Sequence, residues 1–450
     1  MKTIIALSAV RYDRALLSRL PYLRFAEERA FSHVGMLRDR TTRLIIIAEA
    51  TFEDAIVDYY LRDVAGFHEV ELPGVKRRIE LIQPRQRPHL PLDTLTLHDE
   101  PLVARLKGII KDARQTRLVN FAASADTDLL SQTLGVPAEQ APHNLTQQWG
   151  SKSGGKEVLR RSGVPTPGGS ANSAYSWQDV AAAVQQLDKT MSGLIAVKLS
   201  DPKWGSAVGT VVMNRSTIRP NSSPAHGVVT IRQPWAAFTK EMETGGAIVE
   251  EYLDDVISAP SGQAFIDLSG AVQVISTHDQ ILINDQYMGC ISPASEFVAT
   301  INRHLESVGS TLAAIGIRGH FGVDFIVRAT GDLLATEINI RKVGPTHVLA
   351  QAKDAVGEAT SLHYVHRRVH QPQLLRSFSA SGVIEALRDE GLLFERRTRK
   401  GVLLHMLNAV SPCGYIETTC IGNSLDEAFD IDQRLHCKLG LRLNGAADIV

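Results

Sequence analysis

Three polar side chains on one short segment could hold a metal ion and a phosphate group. Residues 337–341 alternate between polar and apolar, which is the period of a strand with one buried face and one wet face. Glu337, Asn339 and Arg341 therefore share the wet face. Mg²⁺ prefers hard oxygen ligands and bridges to phosphate oxygens, and arginine neutralises the charge that the metal leaves over. The segment predicts one wall of a site for Mg²⁺ and a polyphosphate.

The preceding strand adds a second carboxylate to that face. If Thr330-Gly331 centres a hairpin, Asp324 lies directly opposite Glu337. The alternative interpretation is a surface hairpin whose wet face is charged. Like charges directly across a sheet repel unless a cation lies between them, so the metal interpretation is favoured.

The composition bounds the classes of function. The 450 residues are enough for about three domains of the usual size. Lysine and arginine number 48, aspartate and glutamate 49, and the net charge is −1, which gives no general attraction to nucleic acid or to an anionic membrane. We expect neither as a partner.

The expected location is the cytoplasm. The cysteines lack metal-ligand spacing and fit reduced thiols; they are Cys290, Cys413, Cys420 and Cys437. The apolar run at 4–10 meets Arg11 without a cleavage site, so it predicts a first strand or a loose N-terminus rather than a signal peptide. No segment has the length of a membrane span.

The first 145 residues alternate strand and helix signals, which favours a parallel, three-layer α/β unit. Strands are predicted over 44–48, 67–72, 78–82 and 118–122, and helices over 54–61, over 102–113 and from about 126. The segment lacks a GxGxxG turn, so no dinucleotide is assigned to it.

The middle of the chain has a different character from about residue 146. A Gly-Ser-rich loop at 150–155 leads into a predicted helix at 156–161, and it has no GK[ST] ending that would make it a P-loop. Strands are predicted over 194–199, 247–253, 265–268 and 272–278, with a helix over 296–315 before the hairpin.

The last hundred residues predict a small α+β unit, with strands over 392–395, 402–406 and 415–420 and a helix over 425–439. His363, His366 and His370 have the spacing of one helix face, which could bind a metal. Arginines among them make a basic, solvated helix face the favoured interpretation. The basic run at 396–400 is interpreted as a hairpin tip, although it could contact nucleic acid or an acidic peptide.

The order of Lys152, Lys198, the segment 250–253 and the hairpin resembles the ATP-grasp superfamily. That resemblance covers roughly residues 146–350 and implies two α+β subdomains that hold ATP between antiparallel sheets. The fold class it implies is a multidomain α/β and α+β protein. A Rossmann-like pre-ATP-grasp domain would occupy 1–145, a lysine and glycine-loop subdomain 146–245, a metal-binding subdomain 246–355, and a C-terminal α+β domain 356–450.

The resemblance also implies roles for single residues. Lys152 and Lys198 would contact the α- and β-phosphates, and the loop with Gly205 and Gly209 would approach the γ-phosphate. The adenine-recognising hinge would comprise Glu250, Glu251, Tyr252 and Leu253, with Glu250 accepting from the adenine amino group. The ribose contact is left open among Asp254, Asp255 and Ile257.

Two Mg²⁺ ions would accompany the ATP. By resemblance, Asp324 would hold one ion, Glu337 would bridge both, and Asn339 would complete the second. Arg341 and Lys198 would be the catalytic residues, with Arg341 directed at the transferred phosphoryl or acyl-phosphate oxygens. The stretch 200–226 is the candidate lid that keeps water from the acyl phosphate.

The flanking sequence resembles the pheganomycin-type peptide ligases, through motifs at 277–282, 318–324 and 414–419. The resemblance implies an ADP-forming ligase that activates a carboxylic acid or amino acid as an acyl phosphate. It implies in particular that a nonproteinogenic amino acid is joined to a peptide N-terminus, with release of ADP and phosphate. Candidate substrate residues are His278, Asp279, Gln280 and His347. The oligomeric state is left open, a homodimer included.

Two other functions remain open at this point. One is an ATP-grasp enzyme that carboxylates its substrate or makes a thioester, and the other is a nucleotide-binding protein without ligase activity. A non-catalytic relative would be expected to have lost a metal ligand or a phosphate lysine, whereas this sequence retains all of them.

Overall fold

The computed structural model describes residues 1–8, 17, 20–85, 90–170, 172–187, 193–201, 209–219, 227–283, 286–357 and 362–440. The chain divides into two compact units. Unit one contains 1–142, 288–293 and 342–450, and unit two contains 143–287 and 294–341. The finer division at 145, 245 and 355 stays a prediction. Among the described residues, no helix has both the length and the apolar character needed to cross a membrane.

The strands of the described residues are numbered in chain order. They are β1 (Lys2–Leu7), β2 (Thr42–Ile47), β3 (Ile79–Ile82), β4 (Thr116–Asn120), β5 (Leu194–Leu199), β6 (Thr210–Asn214), β7 (Val228–Ile231), β8 (Ala247–Glu251), β9 (Val256–Ser258), β10 (Pro260–Ile266), β11 (Val272–Ile283), β12 (Gln286–Ser292), β13 (Gly319–Arg328), β14 (Leu333–Asn339), β15 (His363–His370), β16 (Gly401–His405) and β17 (Tyr415–Gly422).

The α-helices of the described residues are numbered in the same way. They are α1 (Asp54–Tyr59), α2 (Leu72–Lys76), α3 (Leu92–Leu97), α4 (Glu100–Ile109), α5 (Ala125–Leu134), α6 (His143–Trp149), α7 (Lys152–Arg161), α8 (Trp177–Gln186), α9 (Trp235–Gly245), α10 (Val298–Ala314), α11 (Gly344–Val356), α12 (Pro372–Leu375), α13 (Ala380–Asp389), α14 (Val410–Cys413) and α15 (Leu425–Leu439). A 3₁₀ helix (Pro21–Arg38) and a π-helical turn (Tyr60–Val64) complete the longer helical elements.

Unit one begins with the predicted parallel sheet, in the order β3-β2-β1-β4. The apolar run of β2 is buried along 44–47, as expected for a strand covered on both faces. The predicted strand at 67–72 is wrong. Pro73 stands in the first turn of α2, where its missing N–H leaves no hydrogen bond unmade, and the preceding residues form turns.

The C-terminal part of unit one is α+β, as predicted. Antiparallel β15, β17 and β16 pair in that order, the β12 residues from Met288 onward pair with β15, and α15 packs on β15 and β17. The predicted helix carrying His363, His366 and His370 is wrong, because this segment is β15. Strands pair with it on both sides, and His366 is fully buried. In a strand His363 points to the opposite face from the other two.

A charged network lies inside unit one. Glu417 on β17 is fully buried and lies 3.3 Å from guanidinium nitrogens of both Arg29 and Arg368. It also accepts from the Tyr415 hydroxyl at 2.7 Å and lies 3.1 Å from Nε2 of His347. Burial alone would raise the pKa of Glu417, but the two arginines and His347 lower it well below its usual range.

Unit two contains two antiparallel sheets. One has the order β7-β6-β5-β8, and the other runs β14-β13-β10-β11, with β9 also paired to β13. Helix α7 packs against both β14 and β8, and α10 packs against β10 and β11. A helix in contact with a strand of each sheet can present its side chains to both.

Removal of the Glu417 charge should destabilise unit one strongly. In Glu417→Ala the buried Arg29 and the partly buried Arg368 lose their shared counter-ion, and breaking a buried ion pair costs about 3–5 kcal/mol. Urea unfolding followed by circular dichroism would measure the loss. Glu390→Ala, which breaks an exposed pair with Lys438, should leave the midpoint nearly unchanged; equal midpoints for both variants would contradict the expectation.

Candidate active site

The hairpin of β13 and β14 carries the two carboxylates on one face, as predicted. Asp324 lies directly opposite Glu337 in the antiparallel register, and Gly322 lies opposite Asn339. Gly331 in the turn has φ of +85°, a conformation that glycine adopts without strain. The predicted pairing of the two acidic residues is confirmed.

A β-bulge produces that pairing. The hairpin loop has three residues, not the predicted two, and Phe325 pairs with Ala335. This register alone would set Asp324 opposite Thr336. The ladder shifts between Asp324 and Phe325, so Thr336 is the extra residue and Glu337 comes opposite Asp324.

The carboxylate of Asp324 accepts hydrogen bonds from two side-chain amides. Gln280 Nε2 donates to Oδ1 at 3.1 Å and Asn339 Nδ2 donates to Oδ2 at 2.9 Å. Burial and the negative charge of Glu337 raise the pKa of Asp324 to about 6, against the opposing effects of Arg341 and Lys152. A carboxyl that resists ionisation beside another carboxylate is suited to bind a divalent cation, which replaces the proton and neutralises both groups.

Cationic neighbours stabilise the ionised form of Glu337. Burial raises its pKa, but the charge and hydrogen bond of Lys152, with Arg341 and Lys198 further away, lower it below the usual range. The Lys152 Nζ lies 2.6 Å from Glu337 Oε1. Arg341 donates from Nη2 to Oδ1 of Asn339 at 2.9 Å. The two carboxylates, one carboxamide and two cations therefore form a single cluster on this wall.

Helix α7 begins four residues earlier than the sequence indicates, because Ser151 caps it. The Ser151 side chain accepts from the Gly154 N–H at 3.0 Å, which satisfies one of the free donors of the first turn. Lys152 and Lys156 are then one turn apart on the same face of the helix. The sequence analysis missed Lys156; the signal that could have found it is the serine cap ahead of two lysines spaced i, i+4.

A second acidic group lies between two lysines. Glu250 on β8 is fully buried, and its Oε1 and Oε2 lie 2.5 Å from Lys156 Nζ and 2.6 Å from Lys198 Nζ. Burial would raise the pKa of Glu250, but the two ammonium groups lower it. Burial likewise opposes the charge of Lys198, whose pKa is nevertheless raised by Glu250 and, secondarily, by Glu337.

The segment 250–253, which the resemblance assigns to the hinge, begins in the last two residues of β8 and continues beyond the strand. The backbone N–H of Glu251 donates to Gly168 O at 2.8 Å and that of Tyr252 to Leu194 O at 3.1 Å, and Leu253 is buried. Of the open ribose candidates, Asp255 pairs with Arg328 at 3.0 Å, whereas Asp254 and Ile257 are exposed. The adenine and ribose roles stay predictions.

The glycine loop lies mostly outside the described residues. Gly205 lies outside the described residues, as do 202–208 and 220–226 of the predicted lid at 200–226. Gly209 is described, and its carbonyl accepts from the Leu199 N–H at 2.8 Å, which continues the pairing of β5 and β6.

The predicted substrate residues have different surroundings. Gln280 contacts Asp324, as described above. His278 is buried beside Ser276 at 3.1 Å, and burial lowers its pKa to about 3. Asp279 accepts from the Ser295 N–H at 2.6 Å. His347 belongs to unit one, where it contacts Glu417. Their substrate roles stay predictions.

Comparison with known proteins gives one close relative. Over 441 residues the chain is 37% identical to the L-propargylglycine–L-glutamate ligase of Streptantibioticus cattleyicolor, and the match covers 95% of this chain and 92% of that protein. Residues 382–435 match the family described as PGM1 C-terminal domain.

Solved structures share the fold across nearly the whole chain. The ADP complex of purK, N5-carboxyaminoimidazole ribonucleotide synthetase, has a TM-score of 0.58 at 12% identity and covers 97% of this chain and 96% of that one. The biotin carboxylase domain of Hydrogenobacter thermophilus 2-oxoglutarate carboxylase, with MgADP, has a TM-score of 0.57 at 14% identity, covering 98% and 89%. The predicted ATP-grasp fold class is confirmed.

Asp324→Asn should stabilise the metal-free protein at pH 7.5. With its pKa raised from 3.8 to about 6, an ionised Asp324 opposes folding above pH 6, and this cost disappears as pH falls towards 4. The thermal midpoint of Asp324→Asn in EDTA should therefore exceed that of wild type at pH 7.5, and the gap should close on acidification.

Asp332→Asn, on the exposed turn of the same hairpin, is the matched control and should show no such pH-dependent gap. A midpoint for Asp324→Asn at or below wild type at pH 7.5 would contradict the interpretation of the carboxylate pair.

Proposed function

This chain belongs to the ATP-grasp ligases of the pheganomycin type, the family of its 37% identical relative, and from that premise we propose that it is an ADP-forming ligase that joins a carboxylic acid to an amine. The observation that carries the proposal is the pair Asp324 and Glu337. These carboxylates face each other 13 residues apart in the chain, with Lys152 and Arg341 beside them.

The residues fit Mg²⁺ and ATP by their chemistry. Asp324 and Glu337 supply oxygen ligands, Asn339 supplies a carboxamide oxygen, and Mg²⁺ fills its remaining positions with water and phosphate oxygens. Bound MgATP supplies the phosphoryl group that activates the acid. The nucleotide and Mg²⁺ are also found in neighbours of the same fold, as ADP with purK and as MgADP with the biotin carboxylase domain.

The proposed roles of the chain's own residues are those that the ATP-grasp resemblance implies, and their positions in unit two support them. Lys152 and Lys198 exchange their glutamate partners for phosphate oxygens and hold the nucleotide. Asp324, Glu337 and Asn339 would hold the metal, with two Mg²⁺ ions proposed. The substrate carboxylate attacks the γ-phosphorus of ATP and ADP leaves, which gives an acyl phosphate. Arg341, which donates to Asn339, would neutralise the charge of that acyl phosphate. The amine then displaces phosphate to give the amide.

The acceptor is the finer part of the proposal. The pheganomycin-type resemblance supports a peptide N-terminus as the amine. A free amino acid is the second candidate, supported by the relative named for L-propargylglycine and L-glutamate, which matches this chain over nearly its full length.

Hydroxylamine trapping tests the reaction. Wild type with MgATP, hydroxylamine and a panel of amino acids should release ADP and form a hydroxamate with the correct acid. Asp324→Ala and Glu337→Ala should each lose at least about 100-fold in rate, because loss of a metal ligand exceeds the 10- to 100-fold effect of its outer partners. Asp332→Asn is the matched control; AMP release, or an active Asp324→Ala, would refute the scheme.

Competition between acceptors separates the two candidates. With the acid fixed, a peptide ligase should give a higher kcat/KM with a short peptide than with the free amino acid of its first residue. The reverse order, measured by mass spectrometry of the products, would favour a free amino acid as the acceptor.

A further inference from the structure

Glu250 is a fully buried carboxylate that has two cationic partners. The ammonium groups of Lys156 and Lys198 bind one oxygen each, at 2.5 and 2.6 Å. A buried carboxylate that loses every counter-ion destabilises the fold strongly, whereas a carboxylate with two can release one and remain paired. One of the two lysines can therefore leave Glu250 to bind a ligand, while the other stays paired with Glu250.

The two lysines differ in what else holds them. Lys156 also donates to the carbonyl oxygen of Pro167 at 2.9 Å, and its side chain is 15% exposed. Lys198 is 21% exposed and interacts electrostatically with Glu337 of the metal-binding wall. Lys156 is thus anchored by a second hydrogen bond. Lys198 is the more exposed of the two lysines and is close enough to Glu337 for the charge of that carboxylate to act on it.

We propose that Lys156 is a positioning residue that keeps Glu250 paired while Lys198 leaves it for the nucleotide phosphates. This inference rests on the proposed function only in assigning the site to a nucleotide. The departure of Lys198 opens Oε2 of Glu250, which is then free to accept from the adenine amino group. Lys156 itself touches neither substrate nor nucleotide.

The test measures binding of ADP with Mg²⁺ by isothermal titration calorimetry, without acid or amine. Lys156→Met should weaken MgADP binding about 10- to 100-fold, because Lys198 must stay with Glu250 or leave it unpaired. Lys156→Arg, which keeps the charge, should bind within about threefold of wild type. Arg160→Met, one turn further along α7 and 73% exposed, is the matched control and should bind as wild type does.

A double variant separates this role from a structural one. In the Glu250→Gln background no charge needs balancing, so adding Lys156→Met should change MgADP affinity less than about twofold. Equal losses in both backgrounds would show that Lys156 only supports the fold. If Lys156→Met does not fold, Lys156→Gln carries the same expectations, since its amide can still donate to Pro167 O.

The outcomes are independent of the ligase reaction. Wild type that binds MgADP but makes no amide would remove the proposed function and leave this inference standing. Equal MgADP affinity in wild type, Lys156→Met and Lys156→Gln would overturn the inference alone. Wild type without affinity for MgADP would overturn both.

Discussion

Two carboxylates held opposite each other on a partly buried sheet face are a source of repulsion that the surrounding residues must offset. Asp324 and Glu337 create this constraint, and the nearby side chains answer it: Lys152 pairs with Glu337, and the amide of Asn339 donates to Asp324. Burial first, and the charge of Glu337 second, still raise the pKa of Asp324 against these neighbours. In the proposed function, a bound divalent cation would offset the remaining repulsion between the two carboxylates.

Buried charges also determine the arrangement at the other sheet of unit two. There a single buried carboxylate, Glu250, is paired with two lysines. Glutamates thus position the lysines in the absence of a ligand. In the proposed function, a polyphosphate would replace these protein–protein ion pairs rather than order free side chains. Helix α7 makes this possible, because its contacts with β14 and β8 bring Lys152 to one acid and Lys156 to the other.

Local patterns predicted what depends on local geometry. The polar–apolar alternation at 337–341 correctly predicted that Glu337 and Asn339 share a face. The same alternation gave no indication of the β-bulge at Thr336, which offsets the longer hairpin loop and keeps Asp324 opposite Glu337. Lys156 was not predicted, because a lysine in a helix is most simply interpreted as a solvated charge. Its importance depends on an ion pair with the buried Glu250, a residue far away in the sequence. His366 fits a helical spacing, but strands distant in sequence pair with its segment and make it part of a sheet.

Unit one contains contacts between residues that are very far apart in the chain. The buried pair of Arg29 and Glu417 is separated by 388 positions, and Glu28 accepts from the backbone of Leu407 and Asn408, about 380 positions away. Such contacts close very long loops, and their entropic cost precedes any gain. During synthesis the residues of unit two are all made before unit one can complete its core. Unit two therefore has the opportunity to fold first, whereas residues 1–142 must wait for the C-terminal part of unit one.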